Sequence, residues 1–112
     1  MFTKRFAIGA ALLLTSVCSH AELTVGDFKA ADHANVTLLA HISGLGTGLQ
    51  WMNTYLVAKK RESVFCIPPK LSTNAQNDVV MLEMYIGEHK PKDDTPIGLI
   101  LLEAYLETYP CK

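Results

Sequence analysis

After residue 18 the chain has two cysteines, Cys66 in "FCIPPK" and Cys111 in "YPCK", one ahead of a proline pair and one a single residue from the end. Whether they can pair depends on the compartment, and the first residues bear on that. "MFTKRF" sets Lys4 and Arg5 ahead of the apolar run Ala7 to Leu14, and "SHA" puts Ser19 and Ala21 at the −3 and −1 places of a small-residue cleavage site. This pattern predicts a secretory signal peptide over residues 1–21, cut after Ala21. Its apolar run is far shorter than the roughly 18 residues of a membrane span. Cys18 sits in "TSVC", without the leucine three before it or the small residue directly before it that lipid attachment uses, and is expected to leave with the signal.

Removing 21 residues from 112 leaves a mature chain of 91, residues 22–112, with an even number of thiols in an oxidising compartment. A Cys66–Cys111 disulfide is therefore expected. It would close a loop of about 46 residues, for which chain entropy gives about 4 kcal/mol. In a domain this small that is a large share of total stability. With Lys4 and Arg5 gone, eight Lys or Arg face eleven Asp or Glu, a balance of −3. A mildly acidic chain is poorly suited to nucleic acid or an anionic membrane surface. There is no internal repeat, low-complexity tract or linker, and a single helical domain over 22–112 is expected.

Helical spacing dominates the mature chain. Leu38, Ile42, Leu45, Leu49, Met52 and Leu56 step by four and three along one apolar stripe, predicting an amphipathic helix of about five turns. Gly44, Gly46 and Gly48 interrupt it, each at up to about 1 kcal/mol relative to alanine. Gly44 and Gly48 share a face where a neighbouring backbone would pack closely, the alternative being a kink or an early end. A shorter helix is expected over Asp27 to Ala34, with Asp27 near its N-cap. "LVAKKRES" then leaves the long helix, and "VFCIPP" should be extended, because each proline biases the residue before it away from the α region.

In "TNAQ", Thr73 is placed to cap the next helix and Gln76 to reach back in a capping box. Ala75, Val79, Leu82 and Ile86 form its stripe, with Met81 and Tyr85 widening it, and Gly87 and Pro91 mark its end. Beyond the polar turn "HKPKDD", Thr95 as cap and Pro96 as first helical residue open a last helix. Ile97, Leu99, Ile100, Leu101 and Leu102 make that helix apolar nearly all round, so it should be the most buried, ending before Pro110. The expected fold is an all-α bundle of about four helices stapled by one disulfide.

Candidates for chemistry are few. His33, His41 and His89 are the imidazoles of the mature chain; His41 is expected to be a partly buried helix residue and His89 to lie in the turn after a helix. Two oxidised cysteines provide no thiolate nucleophile. Glu103 and Glu107, four apart, read as a solvated pair on the outer face. No His/Cys spacing suggests zinc. Asn35-Val36-Thr37 is a glycosylation sequon of consequence only in a eukaryotic secretory host, and it falls at a helix start. No enzyme, metal or cofactor is expected.

The stretch from Cys66 to Cys111 resembles the Rap/Tai family of periplasmic immunity proteins, which protect bacteria from peptidoglycan amidases delivered by type VI secretion systems. The matching residues are Cys66, Pro68, Pro69, Thr73, Gln76, Val79, Val80, Tyr85, His89 and Pro91, then Leu101, Ala104, Leu106, Pro110 and Cys111. Upstream, Ile42, Gly44 and Gly48 in "HISGLGTG" are similar to that family's small-residue helix face. The chain departs from many relatives at His41, where they carry an aromatic residue, and in having no cysteine near Leu38 or Leu39.

The resemblance implies a homodimer that blocks a secreted cell-wall amidase by inserting surface into its catalytic groove. The alternative is an envelope-maintenance or stress protein with no cognate toxin. For the amidase-binding reading, the expected partner-binding surface is two exposed charged stretches. One is Lys59, Lys60, Arg61 and Glu62; the other is Glu88, His89, Lys90, Lys92, Asp93 and Asp94.

Overall fold

A computed structural model describes residues 22–71 and 73–112; the signal-peptide reading and Cys18 lie outside the described residues. The helices are α1 (Val25–Ala30), α2 (Val36–Ala58), α3 (Ala75–His89) and α4 (Ile97–Thr108). Among the described residues there is no strand, only an isolated bridge between Thr24 and Pro96. The all-α bundle, four helices among the described residues, is borne out. Cys66 and Cys111 are joined, with their sulfurs 2.07 Å apart. Among the described residues, no helix is long and apolar enough to cross a membrane.

The helix starts follow local chemistry, with shifts from the expected caps. α1 begins two residues earlier than expected, because Thr24 is its N-cap and Asp27 the third-position partner of a capping box. It ends at Ala30 rather than Ala34. Asn35 caps α2 by accepting from the Thr37 and Leu38 amides at 2.9 and 3.2 Å. Asn74, one residue later than Thr73, caps α3 by accepting from the Asn77 amide at 2.8 Å. Thr73 instead accepts from the Gln50 side chain at 3.1 Å.

α4 has no side-chain cap, and Pro96 is its N-cap residue rather than its first helical one. Its first amide, on Ile97, donates to the Leu23 carbonyl at 2.8 Å. The Val25 and Gly26 amides in turn donate to the Thr95 and Asp93 carbonyls, each at 2.9 Å. The starts of α1 and α4 thus satisfy each other's orphan donors through backbone alone. Because Asp93 lies so close, a Cβ on Gly26 would sit 3.2 Å from the Asp93 Cβ. At the other end of α3, Gly87 stays inside the helix and Lys90 takes the left-handed conformation, with φ of 49°.

α3 runs back along α2. Gln50 meets Thr73 just before α3, Gly46 faces Asp78, and His33 ahead of α2 bonds Glu83 at 3.0 Å late in α3. α4 lies across both and is the most buried helix, hiding Ile97, Ile100, Leu101, Ala104 and Tyr105. Leu99 is the exception to the all-round apolar reading, pointing largely to solvent. With 23 residues α2 is about 34 Å long and outreaches the 15-residue α3, about 22 Å. Its apolar stripe is therefore covered at Leu38 and Ile42 but fades to half-buried Leu45, Leu49 and Leu56, with Met52 exposed.

Beyond α3's reach the long helix is held by the extended segment before the prolines. The Asn53 side chain donates to the Phe65 carbonyl and accepts from the Val64 amide, both at 2.8 Å, taking the place of a strand partner. Phe65 is buried edge-on to Tyr105, with ring centres 5.1 Å apart. The Cys66 amide donates to the Tyr109 carbonyl at 2.8 Å beside the disulfide. The staple therefore joins the end of α4 to the segment that packs Phe65 into the core.

Candidate interaction surface

The two charged stretches lie toward opposite ends of α2. Lys59, Lys60, Arg61 and Glu62 follow its C-terminus, all exposed, with the Lys59 ammonium 5.7 Å from the Tyr55 ring centre. Lys90, Lys92, Asp93 and Asp94 lie beside α1, where Asp93 pairs with Lys29 at 3.0 Å. Asp93 also accepts the Gly26 amide through its carbonyl, and Lys90 holds the left-handed end of α3. These two positions therefore carry structural roles, so changing them does not isolate binding from stability.

His89 closes α3 as its last helical residue instead of lying in the following turn. It is exposed, stacks against Tyr85 at 4.2 Å, and bonds Glu107 at 2.8 Å. Glu88, His89 and Glu107 bring their ligand-type atoms within 4.8 Å of one another, a grouping spread over two helices that sequence spacing did not reveal. Three exposed ligands of this kind are what a surface ion pair with one extra carboxylate looks like. Glu107 is exposed as expected, but its partner is His89 and not Glu103. His41, expected partly buried, is exposed, because the stripe from Leu38 to Ile42 turns it away from the core.

The surface that sequence reasoning missed runs between α3 and the end of α4. Leu71, Val80, Met81, Met84, Tyr85 and Tyr109 line an open groove of about 540 Å³, within the range that accommodates a ligand or a few anchoring side chains. Val80 is 54% and Met84 61% exposed, so two adjacent turns of α3 present apolar side chains to solvent. Glu88 and Glu107 form the rim. The stripe on α3 was legible, but Val80 and Met84 fall off it, and only the path of α4 shows that they border a concavity. Burial and the carboxylates of Glu103 and Glu107 raise the Tyr85 phenol above its ordinary value of 10.0.

Behind the groove lies a buried polar pair. Asp78 is 3% exposed and is the one buried charged side chain among the described residues. Tyr105 donates to its Oδ1 at 2.9 Å. No buried side-chain nitrogen or oxygen is left unsatisfied among the described residues, which is the condition for tolerating such a pair. The other face of Asp78 meets α2 at Gly46, where a Cβ would come 2.5 Å from Oδ2 and 3.0 Å from the Tyr105 hydroxyl. The close approach expected at Gly44 and Gly48 is thus made by Gly46; both of those glycines face open space.

Burial raises the Asp78 carboxyl above its ordinary 3.8, outweighing the lowering by the Tyr105 hydrogen bond. Burial and the adjacent carboxylate push the Tyr105 phenol well above its ordinary range. For Asp78 the folded state holds the proton to higher pH than the unfolded chain. Its contribution to stability is complete below pH 3.8 and is lost as pH rises through the folded value. Urea midpoints across that window should therefore fall more steeply with pH in the parent than in Asp78→Asn, which cannot titrate. Equal slopes in the two proteins would contradict the raised value.

No family model matches the chain, and comparison with curated proteins and with solved structures finds no match.

Proposed function

We propose that the protein is an exported interaction protein that binds and occludes a secreted peptidoglycan amidase in the periplasm, with the α3–α4 groove as its contact surface. The observation that carries the binding reading is the groove itself. Val80 and Met84 stand exposed over a wall fixed by Asp78, Tyr105 and the disulfide-held end of α4. A rigid scaffold presenting an apolar concavity with a charged rim has the anatomy of an anchor site. The choice of an amidase rests on the resemblance of residues 66–111 to the Rap/Tai immunity proteins. Met81 and Met84 favour a second reading, a less selective envelope binder, since unbranched thioethers repack against varied clients.

The test is affinity purification of the mature protein from its host's periplasm, beside Met84→Asp. Immunity predicts one stoichiometric partner that cleaves peptidoglycan and is silenced by the protein. Because Met84 is surface exposed, its aspartate variant should keep the parent melting temperature while losing about tenfold or more in affinity. A diffuse set of envelope proteins on the parent would favour the second reading. A single partner retained equally by Met84→Asp would remove the groove from the site.

A further inference from the structure

The groove is asymmetric in charge. Glu88 and Glu107 are the ionisable carboxylates on its lining, and among the described residues no Lys or Arg lines it. Glu107 has an imidazole partner at 2.8 Å, whereas Glu88 has no ion pair among the described residues. Of the two, Glu107 also acts on the Tyr85 phenol in the groove wall, together with Glu103 outside the lining. Leu71, Val80 and Met84 supply apolar lining in the same groove.

We propose that the groove accepts a cationic amphipathic segment of the partner, with an aliphatic or aromatic anchor seated against Val80 and Met84 and a Lys or Arg placed on Glu88 and Glu107. This rests on the reading of the groove as the contact surface and adds the chemistry of what enters it. The apolar anchor supplies most of the affinity, because Val80 and Met84 lose solvent only when the groove is filled. A cation on the rim gives selectivity and a faster encounter, since a neutral or acidic segment would leave Glu88 unpaired or repelled. A second copy of this chain is disfavoured as occupant by its own net negative mature charge, −3 from eight Lys or Arg against eleven Asp or Glu.

The test uses the mature disulfide-bonded protein with two synthetic amphipathic peptides of equal length and identical leucines, one with lysines and one with glutamates on the polar face. Affinity is read by calorimetry at low and physiological salt, and position by amide chemical shifts. The lysine peptide should bind at least about tenfold more tightly than the glutamate peptide, more weakly as salt rises, with shifts centred on Val80, Met84 and Glu88. Glu88→Lys should reverse the preference, and Met84→Asp should weaken both peptides by about tenfold. Trp51→Ala, on the outer face of α2, should change nothing. Equal binding of the two peptides, or no reversal with Glu88→Lys, overturns the proposed charge selection. If Met84→Asp releases the natural partner while Glu88→Lys does not, the groove reading stands and the cationic segment is wrong. If shifts gather at Trp51 and Tyr55, both fall.

Discussion

Cys111→Ser should lower the stability of the protein by about 2–5 kcal/mol, which in a chain of this size is a fall of roughly 10–30 °C in melting temperature. The bond spans a sequence separation of 45, so its loss frees a long loop in the unfolded chain. It also releases the segment that holds Phe65 against Tyr105, leaving the Cys66–Tyr109 backbone bond and the Asn53 clamp to keep it in place. Both cysteines are exposed, so reductant should reach the bond in the native protein without denaturant. The measurements are a thiol assay on the native disulfide-bonded protein and denaturant melts of parent and variant. Two free thiols before reduction, or coincident melts, would remove the staple from the account of stability.

The second large effect is expected at a glycine. Gly46→Ala should destabilise by about 2–4 kcal/mol, because its methyl group meets the Asp78 carboxylate at 2.5 Å and the Tyr105 hydroxyl at 3.0 Å. Neither group is free to swing away, because the Tyr105 hydroxyl donates to the other carboxylate oxygen, Asp78 Oδ1, at 2.9 Å. Gly44→Ala and Gly48→Ala, which meet nothing within 4 Å, should instead stabilise by about 0.5–1 kcal/mol each through helix propensity alone. The three melts together separate close approach from propensity. A neutral Gly46→Ala would mean that α2 and α3 slide apart at little cost, and that the Asp78–Tyr105 pair does not fix their spacing.

The glycines show where local reading stopped. Three alternating glycines announce that α2 is approached closely, yet helix geometry alone assigns the shared face to Gly44 and Gly48. The neighbour that decides the matter is a carboxylate on another helix, and nothing in "QNDVV" marks Asp78 as buried. The same holds for the groove. Val80 and Met84 lie off the α3 stripe, and their concavity exists only because α4 crosses at Ala104 and ends at Tyr109. Caps were misplaced by one to three residues for a related reason: Thr73 is drawn to Gln50, and the α4 start is satisfied by the Leu23 carbonyl and not by Thr95.

What the sequence determined by itself is whatever rests on near-neighbour chemistry. The 3.6-residue spacing of apolar side chains, the extended bias before Pro68 and Pro69 and the presence of just two cysteines after residue 18 were enough for the helices, the all-α class and the expected Cys66–Cys111 bond. The tertiary structure decided what depends on which residues meet from distant parts of the chain. It seated Asp78 between Gly46 and Tyr105, joined His89 to Glu107, and opened an acidic-rimmed groove between α3 and α4. Helix and cap signals act over a few residues and are written locally, whereas burial and cavity shape are set by packing across the whole chain.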